Sequence, residues 1–464
     1  MRINDTLQYL NVGLPEDIMK KKLYGDLEGA IQLIDRRLEG KDLPDALFHS
    51  LTVQKEIIRR TPIEYPYTKE EALAMVQELV PDFTMEELEE KMDTRAIRWI
   101  YLQGEIHIIS DFLNTMLKAD TAFAKRANQF LPGFESALNT ETTEDPRDRC
   151  IRIMKEKGEM TTRIHIRASV KLQEEHFKKG MFLRVHLPIP AASLQQRDIV
   201  IENMFPANGQ LAPETSPART VCWEEYAEEN HEFYVEYSYT HKAIYHDTEQ
   251  YLKDKSDAEQ PIFYTEEEAP HIVFTPYIRH LAESLTKGVT HPLEKAKRFY
   301  DFITLHMKYT FMPPYFLLED IPENCAKSYT GDCGVFALLF ITLCRCVGIP
   351  ARWQSGLAAE PDFCGSHDWV QFYVAPYGWL YADPSYGVSA TRLEKEERRA
   401  FYFGNLEPYR MVANHAFQQE FDIPKEQWRA DPYDNQGGEM ESDHKGFTFQ
   451  EYERNHEVIS VVEM

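Results

Sequence analysis

The chain has 464 residues, 43% of them hydrophobic and 12% aromatic, which excludes disordered and fibrous classes and predicts roughly two to four globular domains. Acidic residues outnumber lysine and arginine by 76 to 51, a formal charge of −25. Such a surface repels phosphate backbones and anionic lipid, so neither nucleic acid nor a membrane is expected as a partner.

The amino terminus lacks a basic start followed by an apolar run, and no apolar stretch reaches the roughly 18 residues of a membrane span. A cytoplasmic location is expected. The 7 cysteines, an odd number in a long chain, argue against a disulfide scaffold. A zinc cluster is disfavoured because no C-x2-C pair occurs and Cys344 and Cys346, two apart on a helix, point away from each other. No metal or other cofactor is called for.

Residues 1–150 read as a helical domain. "DLEGAIQLIDRRLEG", "TKEEALAMVQELV" and the long run from Thr84 to Asp120 carry apolar residues three and four apart, and Thr68 and Thr84 are followed by Glu71 and Glu87 as capping boxes require. No chemistry shows there, which leaves scaffold or a surface for a protein partner. Residues 155–250 change period. "TRIHIRASVKL", "MFLRVHLPIP", "RDIVIENMF", "RTVCWEEY" and "EFYVEYSYTHKAIY" alternate as strands, so an antiparallel β domain of sandwich type is expected, itself a second possible partner surface. After an acidic linker, residues 265–395 begin with the helices "IRHLAESLTKG" and "PLEKAKRFYDFITLHMKY". Residues 396–464 read as a carboxy-terminal extension packing on that third domain. Its acidic residues do not have the spacing of a calcium loop. The whole is an α+β multidomain chain.

Chemistry concentrates in "TGDCGVFALLFITLCRCVGIPAR". The helix opened by Cys333 is expected to run to about Val347, stopped by Gly348 and Pro350, and to be buried nearly all round. Asp332 is a good N-cap. Cys333 then sits in the first turn beside unbonded backbone N–H groups and the positive dipole end, conditions that lower a thiol pKa below its ordinary value of about 8.5. A thiolate nucleophile needs an imidazole to shuttle its proton, and the imidazole needs a carboxylate to orient it. "SHDWVQFYVAPYGWLYADPSYG" supplies His367 and Asp383 on a hairpin. A turn at Pro376, Tyr377 and Gly378 pairs Ala375 with Trp379 and sets Asp383 opposite Gln371, on the face of His367 but roughly 13 Å along the strand. A bulge or a skewed loop near the hairpin end, sliding Asp383 back beside His367, is therefore expected.

The combination of G-D-C opening a helix, G-I-P-A-R ending it, H-x-W and G-W-x-x-x-D-P resembles the core of the transglutaminase-like superfamily, the papain-related group of transglutaminases, peptide N-glycanases and many bacterial cysteine proteases. The likeness covers roughly residues 270–390, and "FYDFITLHMKYTF" also resembles the helix and Tyr before that core. It implies a papain-like α+β fold, with Cys333 as nucleophile, His367 as base and acid and Asp383 as orienting carboxylate. Tyr309, Trp369 and Asp332 are further candidates for the cleft or an oxyanion contact. The implied activity is acyl transfer at a peptide or protein amide. Hydrolysis, by a protease or amidase, is the expected outcome; transamidation, or a catalytically silent scaffold, are the alternatives. A peptide N-glycanase fits less well, since the zinc-binding C-x2-C pairs many of them carry are missing.

Overall fold

A computed structural model describes residues 4–40, 42–129, 144–254, 256 and 258–464. The chain divides into two compact units. One comprises Met1–Leu138, Glu267–Val273 and His306–Val335, the other Asn139–Glu266, Phe274–Leu305 and Phe336–Met464. These boundaries cut across the four sequence segments, and the expected end of the helical region at residue 150 falls inside the helix Pro146–Lys157.

In the first unit, the helices Lys69–Leu79 and Met85–Asp93 start as their sequences dictate. Thr68 and Thr84 each accept from the backbone N–H three residues on, and Glu71 and Glu87 reach back to the cap N–H. The helical reading fails after Asp93. Trp99–Leu102 and Glu105–Ile108 form a hairpin that Tyr67–Thr68 joins as a third strand. Arg95 and Gln103 have left-handed backbones, φ 59° and 51°, which interrupt the helical period that the apolar residues alone suggest. Ile108, Phe112 and Met116 close over Val76 and Leu88 as this region's core.

The second unit contains two four-stranded sheets, ordered by segment as 439–441, 181–188, 220–227, 210–211 and as 452–463, 159–172, 233–244, 196–205. All pairings are antiparallel. Alternate residues of both sheets, among them Ile164, Ile166, Val185, Leu187, Val221, Trp223, Val235 and Tyr237, bury one shared core, as the period of two requires. The carboxy-terminal segment does not simply pack on the third domain. Its strand Tyr452–Glu463 pairs with Glu159–Leu172 of the sandwich, while Arg410–Asn414 joins a separate five-stranded antiparallel sheet by pairing with Ala351–Glu360. That sheet continues through Phe363–Val374, Gly378–Ala382 and Phe403–Gly404. Among the described residues no helix is long and apolar enough to cross a membrane.

Candidate active site

Cys333 is the first residue of the helix Cys333–Cys346, and Gly348 ends it with φ +80°, as its sequence predicts. The helix lies across the division between the units, which falls after Val335. From Val335 to Cys344 nearly every side chain is fully buried, so the helix behaves as a central core element. Cys333 itself is partly exposed, unlike Cys150, Cys222, Cys325 and Cys344. Burial pushes the thiols of Cys150, Cys222 and Cys364 up to about 12, so these stay protonated and inert at neutral pH.

Asp332 caps the helix, Oδ1 accepting from Val335 N at 3.1 Å and from the Tyr315 hydroxyl at 2.8 Å. Burial raises its pKa to about 6, against the lowering effect of those two bonds. The Gly after Cys333 has a steric reason: a Cβ on Gly334 would lie 2.1 Å from the Tyr315 hydroxyl oxygen. Tyr309, a candidate for an oxyanion contact, pairs in a two-residue parallel ladder with Gly331 and carries the Lys118 ammonium 3.8 Å above its ring.

The other unit holds His367 and Asp383. His367 lies on Phe363–Val374 opposite Gly356, and Asp383 is the N-cap of Pro384–Arg392, accepting from Tyr386 N at 2.8 Å. His367 Nε2 and Asp383 Oδ2 are 2.7 Å apart. The expected bulge is not there. The turn is Ala375–Pro376–Tyr377, one residue earlier than expected, and Val374 pairs with Gly378 in a regular ladder to Val370 and Ala382. Asp383 therefore falls just beyond the strand end, one step past Ala382 and beside Trp369, two residues from His367 and on its face. The side chain covers the rest.

Asp383 is fully buried, and Arg410, also fully buried, lies 2.8 Å from its Oδ2. That approach is an ion pair rather than a hydrogen bond, since Arg410 Nη1 has no partner in hydrogen-bonding geometry. Glu407 holds the same guanidinium through Nε and Nη2, at 2.7 and 3.0 Å. Burial alone raises the Asp383 pKa, but the charges of His367 and Arg410 and the bonds from His367 and Tyr386 N outweigh it and bring it to about 2. An ionised carboxylate only accepts, so Nε2 carries the hydrogen of this bond and Nδ1 is the nitrogen left for proton transfer. Tyr386 packs its ring 4.6 Å from that of His367, and its hydroxyl donates to Glu360, which is also bound by Arg147 at 2.7 Å. Trp369 is fully buried and donates Nε1 to Gln354 Oε1 at 2.8 Å; it is a core aromatic in this sheet.

Sequence reasoning thus missed Arg410, Glu407, Tyr386 and Tyr315. A signal existed for one pair: Glu407 and Arg410, three apart beside the apolar "MVA", are charges where a strand should be buried.

Residues 279–384 match the transglutaminase-like superfamily core, so the chain carries a core domain of that superfamily, and Cys333, His367 and Asp383 all fall inside it. Over 97 residues the chain is 29% identical to a protein-glutamine gamma-glutamyltransferase of Pseudomonas aeruginosa. That alignment covers 19% of this chain and 14% of the relative; the chain therefore accounts for a small part of that protein's length. Similar solved structures include a candidate cysteine protease from Cytophaga hutchinsonii, with 15% identity, TM-score 0.40 and coverage of 66% of this chain and 91% of that one. The periplasmic domain of TgpA from Pseudomonas aeruginosa has 16% identity, TM-score 0.29 and coverage of 56% and 99%.

Proposed function

We propose that the protein is a cysteine amidase or protease in which Cys333, His367 and Asp383 form a catalytic triad. The observation that carries this reading is the buried His367–Asp383 hydrogen bond of 2.7 Å, backed by a carboxyl group held ionised at neutral pH. In the proposed reaction the Cys333 thiolate attacks an amide carbonyl carbon, and the oxygen takes the negative charge. The imidazolium of His367 gives its Nδ1 proton to the amide nitrogen as the C–N bond breaks, leaving a thioester and a free amine. Water then attacks the thioester while Nδ1 takes its proton. The C–S bond breaks, a carboxylic acid leaves and the thiolate returns. Throughout, Asp383 holds the ring by Nε2 and offsets the imidazolium charge.

Transamidation is the second reading, favoured by the matched segment of the glutamyltransferase: an amine replaces water in the second step. Turnover of a glutamine-containing peptide with and without added amine separates the two. Hydrolysis predicts ammonia or amine release that does not depend on the acceptor. Transamidation predicts release that rises with acceptor and a product containing it. Loss of neither activity in Cys333→Ala and His367→Ala overturns the triad.

A further inference from the structure

A cleft of about 430 Å³ opens in the unit that contains Cys333, inside the about 300–1,000 Å³ typical of small-ligand sites. In a chain of formal charge −25 it is lined by four cations, Lys22, Arg95, Arg98 and Lys327. Two of these are answered: Lys22 by Glu319 at 2.5 Å, and Lys327 by Glu323 on its own helix. The two arginines are different. Arg95 Nη1 donates to the carbonyl oxygens of Lys327 and Ser328, at 3.2 and 2.9 Å, both neutral acceptors. Arg98 Nε is buried and has no hydrogen-bond partner among the described residues. A buried guanidinium nitrogen without an acceptor is costly. The opposite character also lines the cleft, in Met312, Leu317 and Leu318, so it suits an amphipathic ligand better than a bare inorganic anion. Its position along the chain is also specific. Thr330, three residues before Cys333, is in the lining, and the positive charge of Arg98 is felt at Asp332, next to Cys333.

We propose that this cleft binds the carboxylate of a peptide, held by the guanidinium groups of Arg98 and Arg95, with an adjoining apolar side chain against Leu317 and Leu318. That the peptide is a substrate rests on the reading of the protein as an amidase; that the cleft takes a peptide carboxylate does not. The two sources of such a group, an acidic side chain and a free chain end, are separated by the ligands of the test.

Full-length Cys333→Ser protein is titrated, by fluorescence anisotropy, with three labelled peptides of one apolar sequence: one with an internal glutamate and an amidated end, one with glutamine in its place and an amidated end, and one with glutamine and a free carboxylate end. At least one carboxylate peptide is expected to bind tenfold or more tighter than the neutral one. Arg98→Gln should abolish that preference, and Arg98→Lys should restore part of it. Arg95→Gln, at an exposed position, should weaken the same peptide and guards against an Arg98 variant that fails to fold. Equal binding of all three peptides, or a preference that survives both glutamine variants, overturns the proposal. Carboxylate-selective binding by a protein whose wild-type form turns over no peptide amide removes the amidase reading and leaves the cleft's assignment standing.

Discussion

Replacing Asp383 with asparagine keeps the size of the side chain and removes the charge between His367 and Arg410. Folded, the carboxyl titrates at about 2 against 3.8 for the free group, and at about 1.4 kcal/mol per pH unit that difference corresponds to about 2 kcal/mol of stability at neutral pH. Because the folded value is the lower one, this stabilisation is fully present above pH 3.8 and is lost as the pH falls through 2. Breaking a buried ion pair typically costs about 3–5 kcal/mol, and Arg410 keeps its two bonds to Glu407, which pulls the cost toward the lower end. The expected loss for Asp383→Asn is therefore about 2–3 kcal/mol at pH 7, shrinking by about 1 kcal/mol at pH 3. Urea denaturation followed by tryptophan fluorescence measures it, since of the 6 tryptophans all but Trp99 belong to the unit that contains Asp383. A loss under about 0.5 kcal/mol at pH 7, or one that does not narrow on acidification, would show that the Asp383 charge is not held by His367 and Arg410.

For His367→Ala, kcat/KM on a peptide amide should fall by about 10²–10⁴-fold, and alkylation of Cys333 by iodoacetamide should shift to the pH range of an ordinary thiol, near about 8.5; an unchanged alkylation profile rejects the ion pair. Asp332→Asn should act in the opposite direction to Asp383→Asn. Its folded pKa, raised to about 6 from 3.8, makes ionisation cost stability progressively from pH 3.8 to 6, up to about 3 kcal/mol above that. The asparagine variant, still a good cap, should thus gain on the wild type between pH 4 and 7 in denaturant titrations, and a constant difference across that range is the contrary result. Gly334→Ala puts a Cβ 2.1 Å from the Tyr315 hydroxyl oxygen. The tyrosine must leave Asp332, at a cost of about 1–3 kcal/mol, and Gly334→Ala combined with Tyr315→Phe should lose less than the sum of the two single changes.

What could be read from the sequence was local. The capping boxes at Thr68 and Thr84, the start and stop of the Cys333 helix and the parity of His367 and Asp383 follow from residue type and spacing over a few positions, where steric and hydrogen-bonding rules act directly. Strand partners are not encoded that way. Nothing in the alternation of Tyr452–Glu463 says that it pairs with residues 280 or more positions earlier in the chain, in Glu159–Leu172. The turn after Val374 shows how small the margin is. Placing it one residue late doubled the apparent offset between His367 and Asp383, because each residue moved in a turn shifts the opposed strand by two. The hairpin 99–108 was hidden because Trp, Ile and Leu also fit a helical period, and only the left-handed backbones at Arg95 and Gln103 exclude it.

The electrostatics of Asp383 extend past the superfamily core. That match ends at residue 384, one position after Asp383, yet of the two cations that keep the carboxyl ionised, His367 and Arg410, the second lies beyond it, itself held by Glu407. Without them a fully buried carboxylate beside a neutral imidazole has only backbone and ring donors against its desolvation, and burial is the largest influence on this group, acting to raise its pKa. A carboxylic acid there would hold no imidazolium. Arg410 reaches Asp383 because Arg410–Asn414 is the edge strand that pairs with Ala351–Glu360, the strand on which Gly356 faces His367. A Cβ at Gly356 would lie 1.9 Å from the Met411 carbonyl oxygen, so the close approach of that edge strand depends on a residue without a side chain. Gly356, in "QSGL", is therefore what lets a segment outside the core set the charge inside it.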